Sequence, residues 1–436
     1  EAGMIQVNLP TAGMDFHAPF TGRKQAGYGP AEKGSYAREF FTAVKVTQHY
    51  AQGVVHVLDA SRSVNVASAL LSPEQKPAFL EKLNSDYETL RQEHAGKQAG
   101  RPQLPLEEAS ANKFLGSWSE ITRPSQLGII PVDVSLEELV PYFDWSPFFH
   151  AWELRGRFPG LLDDPEIGVE ARKLYDDARH LLDEIVAKKL FRPRGVMGFW
   201  RAASTGEDIQ LFDASGAKLE VLHGLRQQQK KPAGQSNFSL ADFVAPESSG
   251  LEDFVGAFAV TAGPEVHDVA DSYEKKHDDY LSIMTKALGD RFAEAYAECL
   301  HKKAREIWGF GQGENLTPEE LIREKYRGIR PAPGYPSQPD HTEKWALWRL
   351  LDAERHTGIT LTESLAMFPG SSVSGLYFGH PESKYFAVGK IERDQVESYA
   401  SRKGMPVLEI EKWLRPYLNY DPDSILIRPC QPGAKL

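Results

Sequence analysis

Three short apolar segments that follow one another closely in the chain constrain its fold most strongly. They span residues 195–202, 208–212 and 219–222, and turn-forming residues separate them. Short strands at such spacing, with turn signals between them, are typical of an antiparallel meander. The chain is therefore expected to build part of its core on a sheet whose neighbouring strands are connected directly.

The remaining pattern adds helices and further strands to this meander. Helices are predicted at 165–189, from residue 264 to about 308, at 343–355 and at 394–403, and strands at 129–133, 254–261, 373–379 and 385–391. Ser135 and Glu138 have the spacing of a capping box, which marks another helix start. Strands and helices in this order favour an α+β fold with a mixed or antiparallel sheet.

Composition excludes several classes of function. The formal net charge of −11 argues against non-specific nucleic-acid binding, which needs a basic surface. The two cysteines, Cys299 and Cys430, lie far apart and form no CxxC motif, so a reducing, cytoplasmic location is expected. No apolar run is long enough to cross a membrane, and the first residues do not resemble a signal peptide. We expect neither nucleic acid nor a membrane as a partner.

A proline-rich segment, which we call the strap, follows a predicted helix start at Thr317 and comprises residues 328–339. Pro331 and Pro333 remove two backbone donors and favour an extended chain, and Gly334 allows a turn. Such a segment has accessible carbonyls and few paired amides, which suits a flat polar ligand. Composition alone favours the alternative interpretation, a surface loop between two helices.

The sequence Arg330-Pro-Ala-Pro-Gly334-Tyr335 resembles the R-x-x-x-G-Y signature of the activation domain of cobalamin-dependent methionine synthases. The similarity extends over about residues 105–424, and its further motifs follow in family order: 142–149, 193–198, 240–246, 256–261, 277–280 and 362–370. The resemblance implies a single curved α+β domain around a twisted antiparallel sheet, preceded by a partial α/β segment.

The resemblance also implies a site for S-adenosylmethionine. Asp144 corresponds to the aspartate that binds the amino group of this ligand, Arg330 to the arginine that holds its carboxylate, and Ala332 to the backbone that contacts its adenine. The other corresponding residues are the two tyrosines that line the site and two acids close to the sulfonium: Tyr335, Tyr385, Glu294 and Glu324. An α-amino acid requires one carboxylate and one guanidinium, and a sulfonium favours aromatic faces, so these residue types suit the ligand. No side chain is expected to act as a nucleophile.

The implied activity is that of a methyltransferase of the methionine synthase family, in methionine biosynthesis. In the family that the chain resembles, flavodoxin or a related flavoprotein reduces inactive cob(II)alamin, and S-adenosylmethionine remethylates the resulting cob(I)alamin. Cobalamin is expected on an adjacent domain or a partner, and zinc only in the intact synthase. Two alternatives remain open: a stand-alone reactivation partner of a separate corrinoid protein, and a non-catalytic docking module that binds S-adenosylmethionine.

We divide the chain into an irregular segment at 1–35, a remnant at 36–100 that resembles the end of a cobalamin-binding domain, and the activation domain at 101–436. The remnant has one predicted strand at 54–58 and helices at 42–50, 61–71 and 73–94. Between His17 and Thr42 there is no room for the earlier βαβ units of a doubly wound sheet. Asp15 and His17 have the spacing of a cobalamin motif, but Phe20 replaces its glycine, so His17 is not assigned as a cobalt ligand.

Four ionisable residues share one face of the long predicted helix: Asp290, Glu294, Glu298 and His301. Glu298 and His301 have the spacing of half of a carboxylate-bridged metal site. No second Glu-x-x-His motif completes it, so these two residues are expected on a solvated helix face.

Overall fold

The computed structural model describes residues 55, 66, 69–99, 102–317, 320–321 and 323–422. The chain divides into two compact units, residues 1–102 and 103–436. In the first unit, helix α1 spans Lys76–Ala99. The predictions for His17, for the helix at 42–50 and for nearly all of the strand at 54–58 lie outside the described residues, as does Cys430.

The second unit contains a six-stranded antiparallel sheet. Its strands are β1 (Gly128–Val132), β2 (Arg194–Thr205), β3 (Asp208–Phe212), β4 (Lys218–His223), β5 (Asp253–Thr261) and β8 (Ser372–Phe378). The order is β4-β3-β2-β5-β8, and β1 pairs with β2. β6 (Thr360–Leu361) and β7 (Met367–Phe368) form a separate two-stranded ladder. The meander and the α+β class predicted from the sequence are confirmed.

Helices cover both faces of this sheet. They are α2 (Leu106–Ala111), α3 (Leu136–Leu139), α4 (Ser146–Ala151), α5 (Gly168–Lys188), α6 (Glu265–Glu274), α7 (Asp279–Trp308), α8 (Lys344–Leu351), α9 (Ala353–Thr357), α10 (Arg393–Lys403) and α11 (Val407–Trp413). The α3 start carries the predicted capping box of Ser135 and Glu138.

The sheet separates two apolar cores because the side chains of each strand alternate between its faces. Phe258 of β5 belongs to the core that also contains Phe292 of α7. Its neighbours in β5, Ala257 and Ala259, belong to the core formed with α8 and α9. Helix α7 packs closely on β2, since a Cβ at Gly195 would lie 2.6 Å from the Tyr296 ring. The long helix therefore has one face fixed against the sheet.

Two of the predicted helices are interrupted. The helix expected from residue 264 to 308 is broken between α6 and α7, where His277 has a φ of 59° and Asp278 caps α7 by accepting a hydrogen bond from the Leu281 amide. The helix expected at 343–355 is divided at Asp352, which has a φ of 46°. Left-handed residues end a helix locally, whatever the apolar periodicity on either side.

The strand predicted at 385–391 is wrong. Its alternating aromatic and aliphatic residues suggest a strand, but the Val388 amide donates to Pro336 O at 2.8 Å and the Ile391 amide to Tyr417 O at 2.9 Å. These backbone groups are satisfied by loops and by the strap, so the segment joins no sheet.

Candidate functional site

The strap runs along the outer edge of β8. The amides of Ile329 and Phe378 each donate to the other residue's carbonyl at 3.1 Å, and the Leu376 amide donates to Pro331 O at 2.8 Å. Pro331 has no amide to donate, so its pairing uses the carbonyl alone. Gly328 has a φ of 94°, and a Cβ there would lie 2.6 Å from Phe378 O. The strap is thus attached to the sheet edge through its backbone.

A tight turn follows at Gly334. The Tyr335 amide donates to Ala332 O at 3.2 Å, and the Gly334 amide donates to Gln338 O at 2.7 Å. Gly334 has a φ of 97°, and a Cβ at this position would overlap the His341 ring. Only glycine satisfies both conditions without strain. The turn leaves the Tyr335 side chain 62% exposed beside the strap.

The Arg330 guanidinium lies between the strap and α7. Its Nη2 lies 2.7 Å from Glu298 Oε2, and its Nη1 donates to Tyr326 OH at 2.6 Å and to His301 Nδ1 at 3.3 Å. The Arg330 backbone amide donates to Tyr385 OH at 3.0 Å. Its side chain is only 18% exposed, and burial alone would lower its pKa, but Glu298 raises it above the usual value. The guanidinium is therefore held as a cation at a fixed position.

Burial controls the ionisation of the groups around Arg330. His301 is 2% exposed, and burial together with the charges of Arg330 and Arg305 holds its pKa well below the usual range. A neutral imidazole that accepts at Nδ1 carries its proton on Nε2. Its ring stacks on Tyr377, with 5.0 Å between centroids and 10° between planes. Burial also raises the pKa of Tyr377.

The structure places several sequence-predicted residues near Arg330. Tyr385 is 41% exposed and contacts Arg330 directly. Glu324 is exposed, and after burial it is among the groups that raise the pKa of Tyr385. Glu294 is exposed on α7, and after burial it raises the pKa of Tyr335. Each of the two acids therefore lies near one of the two tyrosines, Glu324 near Tyr385 and Glu294 near Tyr335.

Asp144 and Ala332 are less directly connected to this group. Asp144 precedes α4 and is half-buried, and its Oδ1 accepts a hydrogen bond from the Ser146 amide at 2.9 Å. In the described part of the chain it forms no hydrogen bond or ion pair with Arg330. Ala332 is half-buried in the strap, where its carbonyl accepts from Tyr335.

Sequence reasoning missed Glu298, His301 and Tyr326. The expectation that Glu298 and His301 lie on a solvated helix face is wrong, because both are buried and contact Arg330. Exposure changes along this face of α7. Asp290 and Glu294 are exposed, whereas Glu298 and His301 lie under the strap. Helical periodicity identifies residues that share a face but not how far along it the neighbouring segment extends. The number of residues that separate Glu298 and His301 from Arg330 in the sequence does not predict these contacts.

The fold and this site define an α+β domain that presents a buried arginine, exposed tyrosines and acids along one sheet edge. Residues 135–404 match the family model described as the vitamin B12 dependent methionine synthase activation domain. Because the match covers more than half of the chain, the chain belongs to the family of methionine synthase activation domains. It is therefore a module of a methyltransferase family.

A solved structure extends this similarity to the whole domain. The crystal structure of the MetH reactivation domain bound to AdoHcy is 53% identical to this chain and has a TM-score of 0.71. The match covers 73% of this chain and 100% of that chain.

The described residues contain no helix that is long and apolar enough to cross a bilayer. Within the same ranges, no group of three or more His, Cys, Asp or Glu side chains is placed to hold a metal ion.

Proposed function

We propose that this chain binds S-adenosylmethionine along the strap and serves in reductive reactivation of a cobalamin-dependent methionine synthase. The bound ligand is the methyl donor for remethylation of cob(I)alamin, which forms from inactive cob(II)alamin. The observation that carries this proposal is the Arg330 guanidinium, which Glu298 and Tyr326 hold in place at the sheet edge, while the Arg330 backbone amide donates to the hydroxyl of the partly exposed Tyr385. The AdoHcy bound to the similar reactivation domain supports the same ligand class.

Each proposed site residue has a role that its chemistry explains. Arg330 binds the carboxylate of the ligand, and Asp144 binds its ammonium group. The backbone at Ala332 contacts the adenine. The prolines of the strap interrupt its backbone pairing, so polar backbone groups remain available to hydrogen-bond a planar base. The rings of Tyr335 and Tyr385 line the site.

Two acids are proposed to stabilise the sulfonium. Glu294 and Glu324 are both exposed near the tyrosines, so they lower the electrostatic free energy of a cation there without full desolvation. Carboxylates in this setting are poor nucleophiles toward a methyl group that points away from them. The chain's contribution is then to bind and orient the donor.

The corrinoid is proposed to come from an adjacent domain or a partner protein, and when bound over the site it supplies the nucleophile for the methyl group. Flavodoxin or a related flavoprotein is the proposed electron donor, and zinc belongs to other modules of the intact synthase. We assign residues 101–436 to the activation domain, 36–100 to a remnant of the cobalamin-binding domain, and 1–35 to an irregular segment.

Methyl transfer tests this proposal against the alternative of a docking module. The chain is incubated with methyl-labelled S-adenosylmethionine and chemically reduced cobalamin, and label in the corrinoid is measured. Label transfer that depends on the chain and is lost in Arg330→Ala supports the proposal. Binding of the labelled ligand without transfer, also when a corrinoid-loaded synthase fragment is supplied, would support the docking module instead.

A further inference from the structure

Glu298 is a buried carboxylate for which the proposed function has no role. It is 5% exposed on α7, and its Oε2 pairs with Arg330. Its Oε1 is also buried and accepts no hydrogen bond from any residue that the structure describes. Burial raises the pKa of this carboxyl group above its usual value, although Arg330 and then Arg305 act to lower it. An incompletely satisfied carboxylate is unfavourable for stability, so its presence beside Arg330 calls for another explanation.

The contacts of Arg330 use only part of its hydrogen-bonding capacity. A guanidinium has five N–H donors: one on Nε and two on each Nη. The two on Nη1 donate to Tyr326 OH and His301 Nδ1, and Nη2 lies 2.7 Å from Glu298 Oε2 in the ion pair. Among described residues, Nε–H therefore has no hydrogen-bond acceptor, and at least one N–H of Nη2 is left over because Glu298 offers this nitrogen one oxygen. These neighbouring nitrogens form the side-on edge that binds a carboxylate through two parallel hydrogen bonds.

We propose that Glu298 is a positioning residue that fixes the Arg330 guanidinium so that its Nε and Nη2 edge faces the carboxylate of the bound amino-acid group. This inference rests on the proposed function of the site. The pair with Glu298 orders the long arginine side chain on folding, so that less conformational entropy is lost when the ligand binds. It also offsets the cost of keeping an arginine charge largely out of water before the ligand arrives.

This role predicts an effect that depends on the ligand's carboxylate. S-adenosylhomocysteine carries the amino-acid group, whereas 5′-methylthioadenosine has the same nucleoside and thioether but no carboxylate. Substitution of a residue that positions Arg330 should weaken binding of S-adenosylhomocysteine only. Substitution of a residue with a general structural role should weaken binding of both ligands.

The test is calorimetric titration of both ligands into the full chain and its variants. Glu298→Gln is nearly isosteric but cannot form the ion pair, and we expect about tenfold weaker binding of S-adenosylhomocysteine with unchanged binding of 5′-methylthioadenosine. In the Arg330→Ala background, Glu298→Gln should cause no further loss. Glu306→Gln, at an exposed acid on the same helix, is the matched control and should bind both ligands as the parent chain does.

Three results would overturn the inference: unchanged S-adenosylhomocysteine binding by Glu298→Gln, an equal loss for both ligands, or additive losses in the double variant. If Glu298→Gln does not fold, Glu298→Asp decides, because its shorter carboxylate should give a smaller loss with the same ligand selectivity. Parent-like binding by Arg330→Ala alone would instead contradict the proposed function.

Discussion

The imidazole of His301 stacks on the ring of Tyr377 while its Nδ1 accepts a hydrogen bond from Arg330. Acceptance at Nδ1 requires the neutral ring, because both nitrogens of a protonated imidazole are donors. The histidine pKa is therefore well below 6.5 in the folded protein, and close to that value in the unfolded chain. Between the two values the unfolded state binds a proton that the folded state does not, so stability falls as the pH falls below about 6.5.

This linkage predicts a different pH dependence for His301→Gln. The free energy of unfolding of the parent chain should fall between pH 6.5 and 5.5 more steeply than that of the variant, by up to about 1.4 kcal/mol per pH unit. Chemical denaturation at several pH values measures both slopes. His150→Gln, at an exposed histidine, should retain the parent slope. Parallel curves for His301→Gln and the parent would show that His301 is not held neutral.

Gly334→Ala should disrupt the turn of the strap. Alanine at a φ of 97° is strained, and its Cβ would overlap the His341 ring. We expect the free energy of unfolding to fall by about 2 kcal/mol and binding of S-adenosylmethionine to be weakened strongly. Gly160→Ala is the control, because that residue has no positive φ and open space at the Cβ position. Equal stability of the two variants would contradict the account of this turn.

Tyr385→Phe removes the acceptor of the Arg330 amide while it keeps the ring. The amide then depends on water, and we expect a loss of about 1 kcal/mol in stability together with severalfold weaker ligand binding. Thermal unfolding and calorimetry measure the two effects. For comparison, Tyr335→Phe should leave stability unchanged, since the Tyr335 side chain is largely exposed. If Tyr385→Phe matches the parent in both measurements, its hydroxyl does not order the strap.

The buried side chain of Lys344 should cause a second pH dependence of stability, at alkaline pH. Its Nζ donates to Leu365 O at 2.8 Å and to His341 Nδ1 at 3.0 Å, and burial lowers its pKa to about 8. In the unfolded chain this lysine stays protonated up to about pH 10.4. Between about pH 8 and 10 the unfolded state therefore binds up to one proton more than the folded state, so the free energy of unfolding should rise with pH. Lys344→Met should lose this rise, whereas Lys412→Met, at an exposed lysine, should keep it. A rise that persists in Lys344→Met would assign it to another group.

The sequence predicts the elements of the fold well wherever local pattern and tertiary packing agree. The strands β2 and β5 and the helix α5 follow directly from apolar periodicity and turn residues. The break at His277 was missed because periodicity continues across it, although Asp278 is a good capping residue. The segment around Val388 has strand-like alternation, but its amide pairs with Pro336 in the strap, a contact between distant parts of the chain.

The residues of the site likewise differ in whether the local sequence identifies them. The strap and Arg330 carry a motif that can be read in one continuous segment. Glu298 and His301 contact Arg330 only because α7 passes beneath the strap. The spacing of these residues in the sequence does not indicate that the two segments pack together. Whether a charged helix face is exposed or buried is decided by its tertiary neighbours.

Calorimetric titration of S-adenosylmethionine into the parent chain and Arg330→Ala tests the central claim most directly. Arg323→Ala, at an exposed arginine that precedes the strap, serves as the control. The account predicts saturable binding at one site in the parent chain and the control, and binding at least tenfold weaker in Arg330→Ala with the fold intact. Absence of binding by the parent chain, or equal affinity of the parent and Arg330→Ala, would contradict it.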